Sequence, residues 1–353
     1  MTNHRRRYGP FVNALAGPVA VMFFSCFMFM QTLLPATAQD MVPAELNIDA
    51  SEEPIIWIEK FPDETKKPKK KGLMARLGQL ITGKDDIDGL SKPVAVLGIS
   101  PGNYWALDQG HETIVRVEEN EAKAVPYIYK KIGRLPYLID ICQVSGNQMI
   151  FSESSDNAVY LLSPEKKEIA AFNKDTLLSQ PTGVAFSKIN NEVWVVETKK
   201  HRVAIFDMEG KFLRAIGARG MAPGEFNFPT YIWIDSSGIV YIVDSMNFRV
   251  QILDKEGEFM SMFGKAGNVS GYFSRPKGIA VDSKGHIYVV DGLFHNVQIF
   301  DKEGNFLYYF GKQGREDGNF WMPSGIHIDE KDFIYIADSY NFRIQVFKLN
   351  YGG

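Results

Sequence analysis

The chain has 353 residues, 45% of them hydrophobic and 13% aromatic, enough for one all-β domain of about 250 to 300 residues with extra segments. Its two cysteines exclude a disulfide framework. Cys26 falls in an N-terminal leader, which leaves Cys142 as a single thiol in the mature chain, expected to be buried and structural. The formal charge is −3; residues 1–38 carry Arg5, Arg6 and Arg7 and no acid, so their removal takes it to −6. Such an acidic domain is a poor partner for nucleic acid, whose affinity draws on Lys and Arg against phosphate.

From the N-terminus, the three arginines, the apolar run Val19–Met30 and the small residues Ala36-Thr37-Ala38 have the order of a secretory signal. Cleavage after Ala38 and an exported, periplasmic or extracellular, protein are expected. The alternative is an inner-membrane anchor through residues 11–34. Next comes Pro54–Phe61, of strand composition, within a segment 39–61 that has no repeat of its own. An insertion, 62–91, follows. Its stretch Lys66–Lys84 has seven basic residues and no acid, and Leu73, Leu77, Leu80 and Ile81 share one helical face. That helix is expected to pack across one end of the domain; the alternative is contact with an anionic membrane.

The rest of the chain, 92–353, repeats. An acid recurs every 44 to 47 residues: Asp108, Glu153, Glu197, Asp244, Asp291 and Asp338. Six positions after each acid an apolar strand begins, at Ile114, Val159, Val203, Val250, Val297 and Ile344. Each repeat holds short runs rich in Val, Ile, Tyr and Phe, separated by Asp-x-x-Gly turns such as Asp282–Gly285 and Asp301–Gly304. Four such strands make one antiparallel blade. The period therefore predicts a six-bladed ring with blades at about 92–133, 134–180, 181–223, 224–270, 271–317 and 318–349. Trp105, Ile150, Trp194, Tyr241, Tyr288 and Tyr335, three positions before each acid, are expected to pack between blades.

The runs Gly278-Ile-Ala-Val-Asp282, Ile287-Tyr-Val-Val-Asp291 and Asn247-Phe-Arg-Val-Gln251 resemble NHL repeats, strongly over 181–348 and weakly in the first two repeats. The resemblance implies an all-β, six-bladed β-propeller. Because the last repeat stops after its third strand, Pro54–Phe61 is expected to pair beside Ile344–Phe347 and complete it, which removes an exposed edge.

The acid column is expected to orient loops. Glu197 with Arg202, Asp244 with Arg249 and Asp338 with Arg343 form acid–guanidinium pairs five residues apart. Asp108, Glu153 and Asp291 lack that arginine and are the expected ligand contacts. His111, His201 and His295 fall in the same loop of alternate repeats, where a rough three-fold would bring them together on a metal. That set is similar to the central zinc site of peptidyl-hydroxyglycine amidating lyases, although His111 stands three residues after its acid and the others four. The resemblance to NHL proteins implies a non-catalytic, monomeric scaffold that binds an envelope protein, peptide or glycan through one face of the ring. The alternative is a metal-dependent lyase or hydrolase at that three-histidine site. No cofactor is expected for the scaffold, and zinc or calcium for the alternative.

Overall fold

A computed structural model describes residues 54–65, 87, 89–125 and 132–350; the leader, its alternative anchor and the insertion helix lie outside the described residues. The described strands form six four-stranded antiparallel sheets. Blade one is β2 (Pro93–Ser100), β3 (Asn103–Asp108), β4 (Thr113–Glu118) and β5 (Glu121–Ala124). Blade two is β6 (Leu138–Gln143), β7 (Met149–Glu153), β8 (Ala158–Ser163) and β9 (Glu168–Ala171). Blade three is β10 (Pro181–Ser187), β11 (Glu192–Glu197), β12 (Arg202–Phe206) and β13 (Phe212–Ile216). Blade four is β14 (Tyr231–Ile234), β15 (Val240–Asp244), β16 (Arg249–Leu253) and β17 (Phe259–Phe263). Blade five is β18 (Pro276–Val281), β19 (Ile287–Asp291), β20 (Asn296–Phe300) and β21 (Phe306–Phe310). Blade six has three strands of its own, β22 (Ile326–Ile328), β23 (Phe333–Asp338) and β24 (Arg343–Leu349).

The fourth strand of blade six is β1 (Ile55–Phe61), the expected closing strand. It runs antiparallel to β24 from Ile55↔Leu349 to Phe61↔Ile344, with one irregularity between Trp57 and Glu59. Ile55 and Phe61 are buried at its two ends, and the Trp57 indole N–H donates to Gln345 Oε1 at 3.1 Å.

The core lies between blades. Each of six apolar clusters joins one neighbouring pair, because both faces of a blade are covered and its strands can be apolar on both sides. Trp194, Tyr288 and Tyr335 are fully buried in these clusters, as the ring column requires. Blade one departs from the column: Tyr104 is the buried ring, while Trp105 is only half-buried under the Arg116 guanidinium, 4.8 Å from its centroid.

Close approach of the innermost strands is set by glycine. A Cβ on Gly278 would lie 2.6 Å from Ser324 O, and one on Gly183 would lie 2.8 Å from Ile232 N, both backbone atoms of the next blade. The amides of these glycines donate across the gap, Gly278 N–H to Ser324 O at 3.0 Å and Gly183 N–H to Thr230 O at 2.7 Å. Two blades keep bulk at this column: Asp140 in blade two and Tyr231 in blade four. Those two side chains enter the site described next.

Candidate functional site: the loop face and the mouth of the ring

In an antiparallel meander, the loop between strands two and three and the loop into the next blade leave from the same end. The acid column ends strand two, so all six carboxylates stand at this end, and all six are fully buried. Each stitches the two loop types together. In the arginine blades the acid takes an N–H from the incoming loop: Ser179 to Glu197 at 3.0 Å, Asn227 to Asp244 at 2.6 Å, and Trp321 to Asp338 at 2.7 Å. Arg202, Arg249 and Arg343 donate through Nε to their acids at 2.6, 2.8 and 2.8 Å. Arg249 also donates to the carbonyls of Met221, Ala222 and Glu225, and Arg343 to those of Arg315, Glu316 and Asn319. One guanidinium thus holds a carboxylate and a whole loop.

The sequence suggested that Asp108, Glu153 and Asp291 lack compensation, but the backbone supplies it. Asp108 accepts from the amides of Ser91, Lys92, Gly110 and His111. Asp291 accepts from Ser274, Arg275, Leu293 and Phe294. Glu153 accepts from the amides of Tyr137 and Asp156 and from the Ser155 hydroxyl. Their lone pairs point into the protein, which makes these acids loop anchors by geometry.

The histidines follow the same logic. Asn157, His201 and His295 sit at a loop corner with φ of 53°, 53° and 56°. Each accepts the amide of the residue before the first-strand proline of the next blade: Gln180 on Asn157 Oδ1 at 2.8 Å, Phe228 on His201 Nδ1 at 3.0 Å, and Met322 on His295 Nδ1 at 2.9 Å. An imidazole that accepts on Nδ1 carries its proton on Nε2, so neither nitrogen of His201 or His295 offers a free lone pair to a metal. Burial also lowers the His295 pKa, in keeping with a neutral ring. His111 is not in this column; Glu112 takes the corner, at φ 54°, and His111 Nδ1 lies 3.2 Å from Asp108. The three histidines do not converge, and among the described residues no group of three His, Cys, Asp or Glu is placed to hold a metal ion.

Among charged groups such as Arg219, Lys265, Arg315 and Glu316, this end also exposes large apolar side chains. Met221 (75% exposed), Met246 (55%), Phe342 (52%), Tyr340, Leu293, Phe228 and Trp321 all lie on its loops in blades four to six. The guanidinium of Arg315 covers the Trp321 ring at 5.3 Å, and Arg315, Tyr340 and Phe342 line a shallow hollow of about 170 Å³. The opposite end carries the Asp-led turns, whose carboxylates accept from their own loops, as Asp254 does from Glu256 and Glu258 and Asp301 from Asn305.

Two side chains of blade four reach blade six near the inner strands. Tyr231 and Trp233, two apart on β14, point to one side, and both reach blade six, the Tyr231 hydroxyl to Ser324 Oγ at 3.1 Å and Trp233 to the His327 ring at 5.6 Å. Asp140 accepts the amides of Val184 and Ile141, yet burial lifts its carboxyl to about 7. Lys277 stands near Ser324, and burial first, then the charges of Arg275 and Lys92, bring its amine down to about 8. Cys142 is a free thiol, and burial pushes its pKa up, so it is no nucleophile. Of these groups only Cys142 stood out in the sequence, as a lone structural thiol; Tyr231, Trp233, Asp140 and Lys277 did not. Their one signal is local: Asp140 and Tyr231 occupy a column that is glycine in blades three, five and six.

His327 carries a pH prediction. Its Nδ1 accepts the Gly98 amide at 3.2 Å, and burial lowers its pKa to about 4 against a weaker opposing pull from Asp329. Between pH 6.5 and 4 the unfolded chain binds a proton that the folded one refuses, so this residue's contribution is full above 6.5 and is lost as pH falls. The loss approaches about 3 kcal/mol. Urea titrations of wild type and His327→Gln across this range test it. The difference in stability should grow in the variant's favour toward pH 4, and Asp140, which titrates in both, cancels. A constant difference would remove the imidazole as the cause.

Residues 172–250 match a family model described as a 6-bladed beta-propeller (DUF5128), and residues 273–300 and 320–347 match the NHL repeat. The chain is a six-bladed propeller with NHL repeats at 273–300 and 320–347. Similar solved structures share this fold. Virginiamycin B lyase from Staphylococcus aureus is 15% identical, covers 76% of this chain and 97% of its own, and has a TM-score of 0.54. An auxiliary nutrient binding protein from Bacteroides thetaiotaomicron is 18% identical over 74% of this chain and 70% of its own, with a TM-score of 0.58. A gluconolactonase from Xanthomonas campestris is 10% identical over 83% and 98%, with a TM-score of 0.58. No curated protein sequence matches the chain. At these identities the solved neighbours establish the fold of this NHL propeller.

Proposed function

We propose that this NHL propeller is a non-catalytic scaffold of the cell envelope that docks a protein partner on the loop face of blades four to six. One observation carries this: aromatic and methionine side chains are exposed together on loops that buried acids and arginines hold rigid. Trp, Tyr, Phe, Met and Arg are the residues enriched at protein interfaces. Methionine adapts to an apolar protein surface, so the exposed Met221 and Met246 favour a protein over a sugar. Rigid loops also lower the ordering cost of association. The envelope placement rests on the leader-like residues 1–38.

Photo-crosslinking in intact cells tests this reading. A crosslinker at Phe342 should trap a discrete partner, and one at Lys302 on the opposite end should not. With that partner purified, Trp321→Ser combined with Tyr340→Ser should weaken binding at least about 30-fold, as two interface anchors would. Equal trapping from both ends, or unchanged affinity in the double variant, would refute a docking role for this face.

A further inference from the structure

Where blades four, five and six meet at the mouth of the ring, donors outnumber acceptors. Lys277 follows Pro276 at the start of β18, a position held by Thr182, Thr230 and Ser324 in blades three, four and six. The residue after each acid is Thr198, Ser245 or Ser339 in blades three, four and six, but Gly292 in blade five. A Cβ on Gly292 would lie 3.3 Å from Pro323 O and 3.4 Å from Lys277 Cε, so the site is close to both. The lysine stem runs past Gly292 within van der Waals reach and delivers Nζ to 3.4 Å from Ser324 Oγ. Ser324 Oγ is also 3.1 Å from the Tyr231 hydroxyl, which arrives from blade four across the axis. Ser324 is 2% exposed and Tyr231 8%.

A count of protons shows what is missing. Two hydroxyls that share one hydrogen bond leave one O–H over, whichever is the donor, and the ammonium brings three N–H groups to the same serine oxygen. Among the described residues no carboxylate lies within ion-pair distance of Lys277, and the charged groups that act on it are Arg275 and Lys92, both cationic; the carboxyl that acts on the Tyr231 hydroxyl is Asp140, which burial lifts to about 7 and so leaves partly neutral. A desolvated ammonium without a counter-charge is costly, and surplus donors in a low-dielectric recess favour an anion with two acceptor oxygens.

We propose that Lys277, Ser324 and Tyr231 form an oxyanion-binding cup at the mouth of the ring, which takes the carboxylate of a small ligand or of a peptide side chain. Lys277 supplies the charge, the hydroxyl pair supplies the remaining donor, and Arg275 and Lys92 at the rim draw the anion in. Carboxylate suits the cup because a single half-buried ammonium balances one negative charge. A phosphate source shares the chemistry but brings a second charge. The cup does not depend on the docking face.

The test is anion titration of the full chain at pH 7, at constant ionic strength set with chloride. The probes are acetate, succinate and inorganic phosphate, and the readout is the NMR signal of ¹³C-methylated lysines. Without added anion, Lys277 should titrate near 8, apart from the exposed lysines. Saturating acetate or succinate should raise its midpoint, with binding that tightens as pH falls, and calorimetric titration of the unmethylated chain should show acetate affinity at least tenfold weaker in Lys277→Met than in wild type. Ser324→Ala, a smaller change in a position that tolerates it, should weaken the same response several-fold. A response to phosphate alone would replace the carboxylate with a phosphoryl ligand and overturn that assignment. A Lys277 midpoint that none of the three anions shifts, or equal calorimetric affinity in Lys277→Met, would overturn the cup.

Discussion

Deletion of residues 39–61 should abolish cooperative folding or lower the thermal transition by more than about 15 °C. The strand β1 supplies the fourth strand of blade six, with backbone pairing from Ile55↔Leu349 to Phe61↔Ile344. Two apolar side chains, Ile55 and Phe61, leave water with it, each contributing about 2 kcal/mol. Several ladder hydrogen bonds at about 1 kcal/mol each add to this. The loss is on the order of the whole stability of many domains, about 5–15 kcal/mol. It also opens the β24 edge, which invites strand addition by another copy. Thermal scans with light scattering would show this. A synthetic 54–61 peptide added in trans should restore part of the transition. A truncated chain that melts as wild type would mean that three strands suffice for blade six.

The second large effect concerns Arg343. Asp338 is fully buried, and burial raises its pKa against the pull of the Trp321 amide, Asn341 and Arg343. Arg343→Met removes the guanidinium and strands the carbonyls of Arg315, Glu316 and Asn319 with it. The expected cost is about 3–5 kcal/mol, the range for breaking one half of a buried pair. Arg249→Met should behave alike, since its contacts with Asp244, Met221, Ala222 and Glu225 match bond for bond. Arg202→Met should cost clearly less, because the Arg202 side chain is 29% exposed and Lys200 also pairs with Glu197, at 2.9 Å. Denaturant titrations of the three variants would order them; a larger loss for Arg202 would contradict the staple described here. If the loop face docks a protein, Arg343→Met should also slow association, since the loop that carries Trp321 is no longer held.

Most of the architecture was legible in the residues because a repeat is a local statement. The acid, the strand six positions on and the Asp-x-x-Gly turns each report on neighbours within one blade. Six copies in register then imply a ring. The closing strand was legible for a different reason: blade six lacked a strand, and Pro54–Phe61 had no other sheet to join. The candidate site was harder. Asp108, Glu153 and Asp291 drew notice because they lack an arginine, but the compensating donors are backbone amides, which leave no mark in a sequence. His201 and His295 looked like ligands because their type is right. Their Nδ1 atoms are instead taken by amides one blade away, at a distance of 27 residues in each case.

The sequence by itself determined the number of blades, the order of strands in each, and where the chain would need to close, since periodic hydrophobicity and turn chemistry act over a few residues. Only the tertiary structure decided which backbone amides hold the acids, and that Lys277, Ser324 and Tyr231 meet. Tyr231 and Ser324 lie 93 residues apart, two blades away from each other. A contact across the axis is set by how tightly six inner strands approach, and that distance depends on glycines and bulky side chains from every blade at once.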